Sequence, residues 1–188
     1  KVYVIGNSFG GYVTWRFAAD FPDRVNRFVL IAATGIPFDS KLLAKKIANS
    51  EYYKILHYLT PKIAYYFALS KAYSPDGEPS QNAVTRTYDL ARRKGNRPAF
   101  VRLMREMYED RDLTALDRVR ALSLIVHGDN DQIVPSELGP QFLKHMKNSK
   151  LIRIEESGHM IIHTKKDVLL AHIQPFFGLT DNNKETKN

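Results

Sequence analysis

Val2-Tyr3-Val4-Ile5-Gly6-Asn7-Ser8-Phe9-Gly10-Gly11 is the stretch that decides the fold of this 188-residue chain. A short run of β-branched and aromatic residues ends in a Gly-x-Ser-x-Gly-Gly turn, and an amphipathic segment, Tyr12 to Phe21, follows at once. A serine that must attack a carbonyl needs this layout, because its hydroxyl has to stand clear of its own backbone on a sharp strand-to-helix turn. Such a turn holds the serine in a sparsely populated region of φ/ψ space. The residues packed against it must be nearly free of side chain, a condition predicted to be met by Gly6 and Gly10 and extended by Gly11. The helix that follows points its free N–H groups at the site, where they favour developing negative charge. Taken alone, the motif fits an ordinary βα turn as well.

Outward from this turn, Pro22 stops the helix in Phe21-Pro22-Asp23. Val25 to Ala33 then supplies a second buried strand. Strand, helix and strand with short joints form a βαβ unit, which implies a parallel sheet. From about Asp39 to Leu116 the periodicity is helical, with candidates at Lys41–Ser50, Tyr52–Leu59, Lys62–Lys71, Ala83–Lys94 and Ala99–Tyr108. Ser74-Pro75-Asp76-Gly77 and Gly95-Asn96-Arg97-Pro98 separate them by turn chemistry. This block holds Tyr52, Tyr53, Tyr58, Tyr65, Tyr66, Phe67 and Tyr73, most of which are expected to pack helix on helix while some face a substrate cavity. The strand–helix pattern resumes with a strand at Ser123–His127, a helix N-capped by Ser136 and running to Met146, a strand at Leu151–Ile154 and a last helix at Asp167–Phe177. Residues 178–188 are polar and expected to fray. The predicted fold class is therefore α/β, a mostly parallel sheet with a helical insertion. The domains read as a core at 1–36, a helical lid at 37–118, a returning core at 119–178 and a tail at 179–188.

Composition narrows the function classes. The chain is 44% apolar and 26% charged, enough for one core. No run of about 18 apolar residues exists, so no membrane span is predicted. With no cysteine, disulfides and thiolate metal sites are excluded, and a reducing, cytoplasmic location is the expectation. The net charge of +8 comes from scattered lysines and arginines without a nucleic-acid motif, so it reads as solvated surface. No histidine pair stands at metal-ligand spacing together with carboxylates, so no metal or cofactor is predicted. Because the chain opens directly on a core-type strand, its natural N-terminus is expected to lie further upstream.

Two further segments bear on Ser8. Leu124-Ile125-Val126-His127-Gly128-Asp129-Asn130-Asp131 brings two carboxylates just past the carboxyl end of a strand, where open α/β sheets hold their sites. Glu155-Glu156-Ser157-Gly158-His159 brings a histidine into the loop after the next strand. The order Ser, Asp, His is that of the α/β-hydrolase triad. His127, at a strand end, reads as a structural residue, and His57, His145, His163 and His172 as surface or packing residues.

The chain resembles the carboxyl-terminal two-thirds of an α/β-hydrolase, on the Gly6-to-Gly11 elbow, the His127-Gly128-x-x-Asp131 turn and the Gly158-His159 pair. The resemblance implies that Ser8 is the nucleophile, His159 the general base and then acid, and Asp131 the carboxylate that orients the histidine. It makes the backbone N–H of Phe9 one oxyanion-hole donor and the helical block a lid. Asp131 is preferred over Asp129 because the family holds its acid three residues after the glycine; Asp129 then reads as a turn residue capping its own backbone. The family's strands before the elbow, and the loop supplying a second oxyanion donor, are absent from this sequence. The first strand is therefore expected to expose a sheet edge.

Serine at the elbow implies hydrolysis of a carboxylic ester or related acyl substrate, a small molecule, by a chain that could also form a homodimer. Asn7 before the serine resembles hydrolases that cleave carbon–carbon bonds in ring-fission products of aromatic compounds, although those carry tryptophan where this chain has Met160. That reaction is the alternative. A perhydrolase, an aminopeptidase, or a non-catalytic ligand-binding protein on the same scaffold are further alternatives.

Overall fold

A computed structural model describes residues 1–38, 60–109 and 112–179. Four strands carry the architecture: β1 (Val2–Asn7), β2 (Val25–Ile31), β3 (Leu122–Gly128) and β4 (Ser149–Ile154). All three pairings are parallel, and the strands lie in sequence order, β1-β2-β3-β4. The register sets Asn7 beside Ile31, Ile31 beside Val126, and Gly128 beside Ile154. Every strand therefore delivers its carboxyl end to the same edge, where the loops after β1, β3 and β4 emerge.

Both faces of this sheet are covered, as a parallel sheet requires. Alternation with period two divides the strand residues between the faces. Phe28, Leu30 and Ile125 join Trp15, Ala18 and Ala19 of helix α1 (Phe9–Asp20) on one face. Leu116 of the short α5 (Thr114–Asp117) and Phe142 of α6 (Leu138–His145) complete that layer. Val29, Ile31, Leu124 and Val126 face the other way, against Ile161 of α7 (Ile161–Thr164) and Leu169 and Ile173 of α8 (Lys166–Phe177). Phe28, Leu30 and Phe142 are fully buried. Truncating such a side chain to alanine costs about 3–5 kcal/mol for phenylalanine.

Between β2 and β3 the chain leaves the sheet for helices α2 (Lys62–Tyr73), α3 (Gln81–Arg92) and α4 (Asn96–Glu109). These match three of the five helices expected from periodicity. The expected helices at 41–50 and 52–59 lie outside the described residues, as does the tail from 180 onward. Ser80 caps α3, its side chain accepting from the Ala83 N–H at 3.1 Å. Tyr65 meets Tyr88 edge-on at 5.6 Å, the helix-on-helix role predicted for most of these aromatics.

Three local expectations are corrected. Strand β2 ends at Ile31 and not Ala33, because Ala32 turns into the left-handed region at φ 46° and its N–H goes to Val126. Ser136 does not cap α6. The N-cap is Glu137 with no side-chain cap bond, and the Ser136 carbonyl accepts from Gly139 at 3.1 Å. The third concerns Gly10: a Cβ there would meet nothing within 4 Å.

Edge exposure of β1 is as expected. Val2, Tyr3 and Ile5 are each about half exposed. Among the described residues, no helix is long and apolar enough to cross a membrane.

Candidate active site

The turn after β1 is built by close approach. A Cβ on Gly6 would lie 2.3 Å from both the Gly10 carbonyl oxygen and the Thr14 hydroxyl, and one on Gly11 would lie 2.4 Å from the Ala33 Cβ. Gly6 and Gly11 thus let the start of α1 press against the ends of β1 and β2. Ser8 sits between them as the N-cap residue, at φ 54° and ψ −119°. A non-glycine residue in that region carries about 1–3 kcal/mol of strain and persists only when its surroundings over-determine it. Here they do. The Ser8 N–H donates to the Ile31 carbonyl at 2.8 Å, and the Ser8 carbonyl accepts from Gly11 at 2.9 Å and Thr34 at 3.2 Å. Asn7 adds a side-chain bond to the same Ile31 carbonyl at 3.1 Å. Phe9 opens α1, where the first N–H groups of a helix have no partner within the helix.

The loops after β3 and β4 meet the Ser8 hydroxyl. The Oγ of Ser8 lies 2.9 Å from Nε2 of His159, and Nδ1 of His159 lies 2.8 Å from Oδ2 of Asp131. Residues 8 and 159, separated by 151 positions, are thereby joined in one hydrogen-bonded chain with Asp131. A histidine donating Nδ1–H to the carboxylate presents a bare Nε2 to the hydroxyl. Asp131 has a fully buried side chain. Its second oxygen accepts from the N–H groups of Ile133 and Val134, each at 2.8 Å. Burial pushes this carboxyl up, but the hydrogen bonds from His127 and His159, the charge of His159 and the Val134 N–H outweigh it. The group is held well below the ordinary carboxylate range.

His127 and Asp129 do more than the sequence indicated. The Nε2 of His127 is 2.9 Å from the Val134 carbonyl and 3.4 Å from the Asp131 carboxylate. A carbonyl only accepts, so Nε2 carries the hydrogen, and His127 is a second imidazole donor toward the same acid. Its Nδ1 is buried without a hydrogen-bond partner. Asp129 does not cap its own turn as expected. Its Oδ1 accepts from the Ser157 N–H at 3.3 Å, tying the acid loop to the histidine loop. The i to i+4 spacing of His127 and Asp131 was the available signal for the first contact; the second has no local signature. Of the remaining histidines, His145 pairs with Asp117 at 2.9 Å on the surface, His163 stacks on Tyr73, His172 is half-buried on α8, and His57 lies outside the described residues. An open cleft of 410 Å³ runs along the acid loop, with Asp129 and Asp131 in its wall beside Pro75, Asn130, Gln132 and Glu137, but neither Ser8 nor His159.

A parallel α/β sheet, a strained serine after β1, and a histidine and buried carboxylate from the loops after β4 and β3 define an open-sheet α/β protein. The chain belongs to the alpha/beta hydrolase fold family, whose pattern residues 1–166 match. It is 28% identical over 168 residues to a 2-hydroxy-6-oxo-2,4-heptadienoate hydrolase of Pseudomonas putida, covering 86% of this chain and 58% of that protein. It is 27% identical over 187 residues to a 2-hydroxy-6-oxo-6-(2'-aminophenyl)hexa-2,4-dienoic acid hydrolase of Metapseudomonas resinovorans, covering 96% of this chain and 58% of that protein. The chain thus spans less than two-thirds of the length of these curated relatives. Among solved structures, it superposes on a 2-hydroxy-6-oxo-6-phenylhexa-2,4-dienoate hydrolase from a Rhodococcus strain with a TM-score of 0.75 at 21% identity, over 95% of this chain and 64% of the other. A thermophilic esterase from Thermogutta terrifontis gives a TM-score of 0.68 at 17% identity, over 95% and 65%. Both structural likenesses speak to the fold.

Proposed function

We propose that this chain carries the reacting groups of a serine hydrolase that cleaves a carboxylic ester or related acyl substrate through an acyl-enzyme. The observation that carries the reading is the continuous path from Ser8 Oγ to His159 Nε2 at 2.9 Å and from His159 Nδ1 to Asp131 at 2.8 Å. Serine is a weak nucleophile at neutral pH, so a base must take its proton as attack begins. In the proposed sequence His159 accepts that proton while Ser8 Oγ bonds to the carbonyl carbon. Asp131 holds the imidazole tautomer and stabilises the imidazolium. The tetrahedral oxyanion is met by the Phe9 N–H; one such donor contributes about 2.7–4 kcal/mol where it has been measured. Collapse expels the alcohol, which takes the proton from His159, and water then repeats the cycle to release the acid. Gly6 keeps the elbow closed without contacting the reacting atoms, and Gly10 leaves open space on the outer side of the turn. In this reading the helical insert at 37–118 serves as a lid and a small-molecule acyl compound is the substrate.

A second reading, hydrolysis of a 2-hydroxy-6-oxo-dienoate across a carbon–carbon bond, is favoured by the names of the relatives at 27–28% identity. Asn7 does not add to it, because its side chain is engaged in holding the turn to β2. Ser8 attack serves both reactions; they differ in whether oxygen or carbon departs. We expect a fluorophosphonate to label the protein at Ser8, and Ser8→Ala to abolish both labelling and turnover. Full activity in Ser8→Ala would refute the nucleophile. Turnover of p-nitrophenyl acyl esters set against a 2-hydroxy-6-oxo-dienoate decides the leaving group, and a strong dienoate preference would replace the first reading by the second.

A further inference from the structure

His159 stands in a loop whose backbone is held mainly from outside the sheet. The loop leaves β4 through Glu156 at φ 49°, a left-handed conformation that a non-glycine residue keeps only under external constraint. Four consecutive N–H groups follow, and each is taken by a group from another part of the chain. Ser157 donates to Asp129 of the acid loop at 3.3 Å. Gly158 donates to the Asp76 carboxylate at 3.2 Å, and His159 and Met160 donate to the Ala72 carbonyl at 3.0 and 3.2 Å. Three of these four acceptor contacts therefore come from the last turn of α2 and the turn after it, within the helical insert. Ala72 offers its carbonyl because the last carbonyls of a helix have no partner within it.

Asp76 is the charged member of this clamp. One of its oxygens accepts from the Gly158 N–H, and the other from the Ser157 hydroxyl at 3.2 Å. Contact is close enough that a Cβ on residue 158 would lie 2.0 Å from the Ser74 carbonyl oxygen, which is why the residue before the histidine is glycine. The same turn reaches the acid loop, where Gln132 donates to the Ser74 hydroxyl at 3.3 Å. Tyr73 closes the back of the loop by stacking on His163 at 5.8 Å. Ser157 is fully buried and Tyr73 nearly so. Hydrogen bonds to a charged acceptor are about twice as strong as neutral ones, so Asp76 is the strongest single hold on the residue preceding His159.

We propose that Asp76 is a positioning residue for His159. Its carboxylate fixes the Ser157–Gly158 backbone, and that backbone sets the imidazole at the 2.9 Å reach to Ser8. The proposal rests on the reading of His159 as the base acting on Ser8. It makes the seating of the insert and the alignment of the base one event.

The test compares Asp76→Ala and Asp76→Asn in the full chain, with two readouts. The first is steady-state turnover of a p-nitrophenyl ester. The second is the hydrogen-bonded Nδ1–H proton of His159 by NMR, which needs no turnover. Alanine leaves the Gly158 N–H without an acceptor, whereas asparagine keeps an oxygen for it. In Asp76→Ala kcat falls about 10- to 100-fold, the range that a misalignment of about 1 Å produces, with KM unchanged within about threefold. The imidazole proton broadens or vanishes in the same variant, and Asp76→Asn restores both readouts to within about threefold of the parent. If the alanine chain does not fold, Asp76→Ser, whose shorter hydroxyl cannot reach both donors, is judged by the same readouts and the same expectations. A folded Asp76→Ala or Asp76→Ser chain with parental kcat and an intact imidazole proton overturns the proposal. So does an asparagine variant as damaged as alanine. A parent chain with no turnover but an imidazole proton that still depends on residue 76 would refute the hydrolase reading and leave the positioning role standing.

Discussion

Asp131 gathers four donors on two oxygens: two backbone N–H groups on one, and the imidazoles of His159 and His127 on the other. This is an environment for a permanent anion. Its carboxyl titrates below the ordinary range in the folded chain, whereas the unfolded chain has it near about 3.9. Between those values the unfolded state binds more protons, so stability rises with pH there. The contribution is complete above roughly pH 5 and is lost as pH falls through the folded value. Urea midpoints measured from pH 7 downward should fall more steeply for the parent than for Asp131→Asn below about pH 4. Parallel acid limbs would contradict the assignment. In turnover, Asp131→Asn should lose about 10⁴-fold because the imidazole adopts the wrong tautomer. Asp129→Asn should lose little, because an asparagine oxygen still accepts from Ser157.

At the scale of elements, the turn between β1 and α1 shows how far a motif can be read. The glycines around Ser8 were legible from spacing alone, but their roles were not equal. A Cβ added at residue 6 would stand 2.3 Å from the Gly10 carbonyl oxygen, while one at residue 10 would stand in open space. Gly6→Ala should therefore destabilise the fold by about 1–3 kcal/mol or more through overpacking. Gly10→Ala, inside a helix, should stabilise it by about 0.5–1 kcal/mol. Equal effects in chemical denaturation would refute the distinction. Strand and helix positions were legible because burial imposes period two or 3.6 on the residues themselves. Ser8, Asp131 and His159 were legible because each lies in the turn or loop just past a recognisable strand and matches a motif of the family. Asp76 was not: Ser74-Pro75-Asp76-Gly77 carries ordinary turn chemistry, and only the folded chain brings that turn against Gly158. Asp129 was misread for the same reason, its partner lying 28 residues away.

At the scale of the whole described sheet, β1 stands at one side of the order β1-β2-β3-β4. Strand β1 pairs only with β2 among the described strands, and Val2, Tyr3 and Ile5 are half exposed along it. An exposed, apolar parallel edge is a template for pairing with another chain. Expressed by itself, this 188-residue stretch should therefore associate with increasing concentration, and Ile5→Lys should shift it toward monomer in sedimentation velocity. A parent that stays monomeric at high concentration would contradict this. The net charge of +8 acts in the opposite sense, by mutual repulsion, so association should strengthen as salt is added.

The grip of the 72–76 segment on residues 157–160 reaches across 82 positions of chain. Any recombinant that imports a foreign helical segment between β2 and β3 while keeping its native C-terminal third would inherit a mismatched latch. Successful chimeras should be those in which both stretches come from the same parent. The two stretches should therefore be exchanged as one unit, whatever their distance in the gene.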